Sequence, residues 1–112
     1  MKQVTYFEKS LLLGDEAASL LLEYAAAIAY NRRADTVMLT ALEQGGAEVE
    51  VTYLLNAGTM MMAESSSSRN EEPNNHEAIG YMKDRMPGLY LQSKTARLDP
   101  SDIEGLDQAM LD

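Results

Sequence analysis

The most regular pattern in the chain is a helical repeat of apolar side chains in its first third. Its members recur at intervals that place them on one face of a helix: Leu20, Leu21, Tyr24, Ala25 and Ile28. Asp15 precedes the repeat and can accept hydrogen bonds from the free amides of a helix start. Residues 31–33 contain two arginines, which suit the negative end of the helix dipole. One helix is therefore predicted from Asp15 to this basic segment.

Residues that favour β-structure lie on both sides of this helix. Residues 3–7 and 11–13 predict two short strands, with a turn at the polar residues between them. After the helix, apolar and polar positions alternate through residues 36–43, 47–55 and 59–64. We expect these three segments to pair in order as an antiparallel meander.

The parity of the strands indicates the length of each turn in this meander. A two-residue first turn would place Glu43 opposite Glu48, which brings like charges together. A three-residue turn at residues 44–46 instead collects apolar residues on one face, and the pairs are Ala41–Val49, Leu39–Val51 and Val37–Tyr53. The same reasoning for residues 56–58 predicts that Tyr53 pairs with Met61 and Val51 with Ala63.

The opposite face of the predicted meander is half apolar and half acidic, which is less polar than a solvent-facing sheet usually is. Methionine is flexible and polarizable and suits a surface that adapts to a partner. We therefore expect a docking surface, covered by the end of the same chain, by a second copy or by another protein. The candidate interface residues are Met38, Leu42, Leu54, Met60 and Met62, with Ile103, Leu106 and Met110 near the end of the chain.

The last third of the chain predicts two shorter helices. Residues 65–75 are polar and are expected to form a mobile surface loop. A helix follows on the spacing of Ile79, Met82 and Met86, and Pro87 with Gly88 is expected to stop it. Residues 92–98 are expected to be a linker and residues 99–112 a short acidic amphipathic helix.

These elements follow the order β-β-α-β-β-β-α-α. They predict a two-layer α+β fold in which the first helix packs on one face of a mostly antiparallel sheet of about five strands. Residues 1–91 are assigned to this single domain, and residues 92–112 to the linker and the last helix.

Composition and charge narrow the classes of function. The chain has 112 residues, of which 46% are hydrophobic, and this suits one globular domain. Its net charge of −9 repels phosphate backbones, so nucleic-acid binding is not expected, whereas a basic protein partner is compatible. It contains no cysteine, its first residues lack a signal-peptide pattern, and its longest apolar helical stretch is too short to cross a membrane. We expect a cytoplasmic protein without membrane contact.

No group of residues in the chain forms a recognisable catalytic motif. His76 is the single histidine, which excludes a metal site built on two histidines, and a solvated helix start explains it better than general-base chemistry. The serines at residues 65–68 resemble a phosphate loop only superficially, because no glycine lies among them. The paired carboxylates, such as Glu48 with Glu50, are expected on solvated surfaces. We assign no catalytic residue, cofactor or metal ligand.

The absence of a catalytic motif favours a small non-enzymatic interaction protein over an enzyme. An acidic regulator, an immunity or antitoxin protein and a small dimeric chaperone all fit, with a homodimer or a basic protein as the expected partner. The alternative is a small ligand-binding domain or enzyme that uses surface carboxylates and His76. A nucleic-acid mimic ranks last, because acidic and apolar positions are mixed. No motif is specific enough to indicate a family.

Overall fold

The structure, a computed structural model, describes residues 1–97, and their side chains as far as residue 89. Its elements are β1 (Lys2–Tyr6), β2 (Lys9–Leu13), α1 (Asp15–Tyr30), β3 (Asp35–Leu42), β4 (Glu48–Leu55), β5 (Met61–Ser65) and α2 (His76–Arg97). The strands form one antiparallel sheet in the order β4-β3-β2-β1-β5, and α1 packs against one of its faces. The predicted α+β class is confirmed.

The β3–β4 hairpin has the predicted register. Its apolar pairs are Val37 with Tyr53, Leu39 with Val51, and Ala41 with Val49. The turn contains three residues between Glu43 and Ala47, whose backbones are joined by a hydrogen bond of 2.8 Å. Gly46 has a φ of 97°, a conformation that glycine adopts without strain. The predicted three-residue turn is therefore confirmed.

The predicted pairing of β5 with β4 is wrong, because β5 pairs with β1. Val4 lies opposite Ala63, and Tyr6 lies opposite Met61. β1 is covered by β2 on one side only, so its other edge is free to accept a strand, and β5 completes the ladder around the buried Val4. The face of β5 was nevertheless predicted correctly, since Met61 and Ala63 pack against the core.

The sheet consists of two parts, the β3–β4 hairpin and the three strands β2, β1 and β5, which contact each other at two places. β2 and β3 share a single pair, Leu12 with Leu42, so the β3–β4 hairpin extends away from the other three strands. The chain closes again where the Tyr6 ring of β1 lies 5.5 Å from the Tyr53 ring of β4. A strongly curved sheet results, with α1 on its concave side. The face opposite α1 is called the outer face below.

The apolar stripe of α1 fills the space inside this curved sheet. Leu21, Tyr24 and Ile28 are fully buried, while Leu20 and Ala25 pack at the margin of the core. The helix begins at Asp15 as predicted, but the predicted cap is wrong: Gly14 occupies the cap position and makes no side-chain bond. The first helical bond runs from the Ala18 amide to the Gly14 carbonyl oxygen, so Asp15 lies within the first turn, where its carboxylate pairs with the terminal amino group of Met1 at 3.0 Å.

Helix α2 continues past the point where the sequence predicted its end. It begins at His76, contains Pro87 within its length and reaches Arg97, so the predicted stop at Pro87 and Gly88 is wrong. Leu89 explains the continuation, because its side chain is buried in the core. Its carbonyl oxygen also accepts a hydrogen bond from the Asn31 side chain at 3.1 Å.

Three predictions concern the end of the chain. α2 includes residues 92–97, which were assigned to a linker. The boundary at residue 91 stays a prediction, and the last predicted helix, residues 99–112, lies outside the described residues.

The polar segment between β5 and α2 is held against the sheet at several points. The Asn70 side chain lies beside Gly46, and the Glu72 side chain lies so close to Gly14 that a methyl group there would overlap it. Pro73 between them and α2 is buried. The segment thus crosses the outer face above Leu12 and Leu42, and it buries both leucines away from the main core.

Candidate interaction surface

Exposed apolar side chains lie together at the end of the sheet where the Tyr6 side chain of β1 contacts β4. The Phe7 amide donates a hydrogen bond to the Met60 carbonyl oxygen at 3.0 Å. The Tyr6 hydroxyl donates to the Leu54 carbonyl oxygen at 2.5 Å. These bonds hold Phe7, Leu54 and Met60 in one region, where they are 53%, 48% and 68% exposed. We call these three residues the Phe7 patch.

Two further exposed methionines border the Phe7 patch. Met38 lies opposite Thr52 in the β3–β4 ladder, which makes it a diagonal neighbour of Leu54 on the outer face. Met62 lies opposite Thr5 on the outer face of β1. Both methionine side chains are exposed. The outer face therefore presents apolar groups from β3, β4 and β5.

Phe7 is held in a backbone conformation that bulky residues rarely adopt. It is the first residue of the two-residue turn between β1 and β2, and its φ is 56°. A bulky residue in this left-handed region of backbone conformation lowers the stability of the fold by about 1–3 kcal/mol. The ring makes an edge contact with Tyr6 at 4.8 Å but stays half exposed, so burial in the core does not explain its presence. Strained residues and exposed aromatic anchors are both typical of binding surfaces.

The predicted interface residues fall into three groups in the structure. Met38, Leu54, Met60 and Met62 are exposed, Leu42 is only 3% exposed, and Ile103, Leu106 and Met110 lie outside the described residues. Leu42 does not contribute to the surface because the segment before α2 covers it. Phe7 was missed, although alternation along β1 could have identified it: Val4 and Tyr6 point to the core, so an apolar residue at position 7 breaks the pattern.

Carboxylates accompany the apolar groups on the outer face. Glu48 and Glu50 project from β4 and Glu64 from β5, and all three are exposed. None of the residues with side chains on the outer face of the five strands is basic. This face therefore combines exposed apolar side chains with negative charge.

A groove lies between β3 and the first turns of α2. Its larger part has a volume of about 440 Å³ and is lined by Met38, Leu39, Thr40, Glu50, Asn74, Asn75, His76, Glu77 and Ala78. A second part of about 370 Å³ adjoins it and is lined by Asp35, Thr36, Val37, Met38, Glu77, Ala78 and Tyr81. Met38 belongs both to the groove and to the outer face, so the two surfaces are continuous.

A cluster around Asp35 fixes the far end of this groove. The Asp35 carboxylate accepts hydrogen bonds from the hydroxyls of Tyr24 on α1 and Tyr81 on α2, the latter at 2.8 Å. The Arg85 guanidinium donates to the Tyr24 hydroxyl at 2.9 Å and lies 3.6 Å from Asp35. One carboxylate therefore links both helices to the start of β3.

The electrostatics of this cluster are those of a structural contact. Partial burial raises the pKa of Asp35, but hydrogen bonds from Tyr24, Tyr81 and the Thr36 amide, with the nearby Arg85, outweigh it and hold the pKa below its usual value. Burial raises the pKa of Tyr24 well above its usual range, and the hydrogen bond to Asp35 adds to this effect. Asp35 is thus charged and Tyr24 neutral at physiological pH.

Other candidate chemistry is dispersed. His76 lines the groove with Glu50 and Glu77, whereas the serines at residues 65–68 do not. Among residues 1–97, no three histidine, aspartate or glutamate side chains come close enough to hold a metal ion. Within the same residues, no helix has both the length and the apolar character needed to cross a bilayer.

Comparison with known proteins gives no further guide to the site. No protein-family model, curated protein or solved structure matches the chain.

Proposed function

We propose that this chain is a small interaction module that binds another protein through the Phe7 patch and the acidic outer face around it. The observation that carries this proposal is the exposed, strained Phe7 beside Leu54 and Met60. The fold gains one edge contact with Tyr6 from this half-exposed phenylalanine in a costly conformation, whereas an interface would gain an aromatic anchor. The proposal keeps the cytoplasmic location expected from the sequence.

Charge indicates the kind of partner. The chain carries a net charge of −9, and the carboxylates of Glu48, Glu50 and Glu64 lie on the same face as the exposed methionines. A basic partner would approach faster and in a preferred orientation, while a second copy would bring like charges together. Among the classes considered from the sequence, this favours an acidic regulator or an immunity or antitoxin protein over a dimeric chaperone.

A ligand-binding or enzymatic role is the second candidate, since His76, Glu50 and Glu77 line one groove. Acid–base chemistry would require these groups to converge on a bound molecule. Replacing His76 with glutamine would abolish such an activity, but it would leave binding at the Phe7 patch unchanged.

Site-specific cross-linking tests the proposal. A photoreactive amino acid replaces Met60, the most exposed residue of the patch, and a control variant carries it at the exposed Tyr30 at the end of α1. In native extract we expect one discrete adduct from position 60 and none of that mass from position 30. The adduct should weaken at about 0.5 M salt, because screening removes the attraction of a basic partner. It should also be lost when Phe7→Asn is added.

Three outcomes would contradict the proposal. These are no adduct from position 60, an adduct of twice the chain mass of 12.4 kDa, or a link from position 60 to the chain's own residues 98–112. The second would mean that a copy of the chain fills the patch, and the third that its own end does.

A further inference from the structure

The edge of β3 that faces α2 is not paired with a strand over most of its length. β2 meets β3 only at Leu42, so the rest of β3 has β4 on one side and the groove on the other. In an antiparallel ladder, alternate residues direct their N–H and C=O groups to opposite edges. The residues of β3 that face the groove therefore share one parity.

The hydrogen bonds of the structure identify that parity. The Asn75 side chain donates to the Thr40 carbonyl oxygen and accepts from the Thr40 amide, each at 2.8 Å. The Thr36 amide donates a hydrogen bond to the side-chain carboxylate of Asp35 at 2.8 Å. Met38 lies between Thr36 and Thr40, so its N–H and C=O face the same groove. Among the described residues, neither Met38 group has a partner on that side.

We propose that this edge binds a short, extended, basic segment of a partner protein, which adds to β3 as a further strand. Main-chain bonds to Met38 and to the Thr36 carbonyl oxygen would supply the pairing, and α2 would cover the segment from the other side. The groove beside β3 already has room for it, with volumes of about 440 and 370 Å³ in its two adjoining parts. Asn75 closes the edge at Thr40, which keeps the segment short.

The charge of the groove favours a basic segment of another protein over the chain's own end or a second copy of the chain. The acidic side chains that line the groove are Glu50, Glu77 and Asp35, of which Asp35 is already paired with Arg85 at 3.6 Å, and no lysine or arginine lines either part. The chain's own residues 99–112 contain five acidic residues and no basic one. A second copy carries a net charge of −9. A basic segment of a different protein is the occupant that the groove attracts.

This inference rests on the proposed function but uses the groove that adjoins the outer face rather than the Phe7 patch itself, so the two can fail separately. The probe is an end-blocked peptide of about eight residues in which lysine alternates with valine, which favours an extended chain. We expect it to bind the full chain with a dissociation constant below about 1 mM and to protect the Met38 amide from hydrogen exchange. A peptide with glutamate in place of lysine should not bind.

Two variants separate edge pairing from general charge attraction. Met38→Pro removes the edge amide, and Thr52→Pro is its matched control, because Thr52 is the cross-strand partner of Met38 and directs its amide to the opposite edge of the hairpin. We expect Met38→Pro to weaken peptide binding by at least about tenfold and Thr52→Pro to leave it within about twofold. Glu77→Lys should also weaken it about tenfold, while Phe7→Asn should not.

The exchange measurement on the unaltered chain decides the question even if the proline variants unfold. No binding of the lysine peptide at 1 mM, or binding that leaves the Met38 amide unprotected, would overturn the inference. Equal loss of binding in folded Met38→Pro and Thr52→Pro variants would overturn it as well. If the peptide fails to bind while the adduct from position 60 persists, the edge inference fails and the function of the patch stands.

Discussion

Phe7 shows how one residue can be unfavourable for folding and favourable for binding. Its φ of 56° suits asparagine better than phenylalanine, because the short polar side chain of asparagine tolerates the left-handed region. A β-branched residue tolerates it least. The residue therefore offers a stability test of the strain that the proposed function depends on.

We expect Phe7→Asn to be more stable than Phe7→Val by about 1–2 kcal/mol in the free energy of unfolding. Both variants lose the ring contact with Tyr6, so the difference between them reports the backbone conformation. Urea denaturation of the two proteins measures it. Equal stabilities would show that position 7 is not strained, and the principal argument for the patch would be lost.

Asp35 is a partly buried polar contact that no sequence pattern reveals. It stands alone at the start of β3, and its partners Tyr24, Tyr81 and Arg85 are distant in the sequence. Asp35→Ala would leave the Tyr24 hydroxyl buried without its acceptor, and we expect a loss of about 2–3 kcal/mol. Tyr81→Phe removes one exposed bond to the same carboxylate and should cost less than about 1 kcal/mol. Thermal or chemical denaturation distinguishes the two variants.

Asp35 also predicts how stability depends on pH. Its pKa is lower in the folded chain than in the unfolded chain, so the folded state is stabilised when the carboxylate is charged. This stabilisation is present above about pH 4 and is lost as the pH falls through the lowered folded-state value. We expect Asp35→Asn to flatten the loss of stability below pH 4. An acid unfolding curve as steep as that of the original chain would contradict this assignment.

At the scale of elements, the side of a strand that faces the core was easier to predict than the strand with which it pairs. The period-two alternation of β5 placed Met61 and Ala63 on the core face correctly, because alternation is a property of the strand itself. Its pairing with β1 depends on which edges remain free in the whole sheet, and that is not encoded locally. The free edge of β3 could not be predicted for the same reason.

Asn75 protects part of that free edge. Its amide group satisfies both the N–H and the C=O of Thr40, and the residue is only 7% exposed. We expect Asn75→Ala to lower the free energy of unfolding by about 2–3 kcal/mol. Asn75→Asp should be nearly as harmful, because a carboxylate cannot donate to the Thr40 carbonyl oxygen. An aspartate variant as stable as the original chain would show that this donation is not needed.

Pro87 illustrates how tertiary contacts override a local signal. Proline removes a backbone hydrogen bond and clashes with the preceding turn, which is why a helix end was predicted there. The burial of Leu89 beyond it holds α2 together. Because Pro87 is exposed, replacing it with alanine should relieve this cost, and we expect a gain of about 1 kcal/mol or more in the free energy of unfolding. A loss of stability in Pro87→Ala would mean that the proline is required for the path of the helix.

At the scale of the whole molecule, the curvature of the sheet creates the proposed binding surface. The β1–β5 ladder sets Phe7 beside Met60, although they are far apart in the sequence, and the contact of Tyr6 with Leu54 across the end of the core brings Leu54 to the same place. The alternation predicted that Met38 and Met62 share a face with glutamates, and the structure has them on one face, while their role in an interface stays a prediction. The sequence could not predict the contact between β1 and β4, because this contact depends on how the two parts of the sheet pack around α1.

The molecular mass of the isolated chain in solution tests the central claim most directly, which is that the Phe7 patch is free to bind a different protein. Sedimentation equilibrium over a wide range of concentration, at about 0.15 M salt, would measure it. We expect a single species of 12.4 kDa at every concentration, since a net charge of −9 opposes self-association. A stable species of twice that mass, reduced to the single chain by Phe7→Asn, would show that the patch is filled by a second copy and would contradict the account.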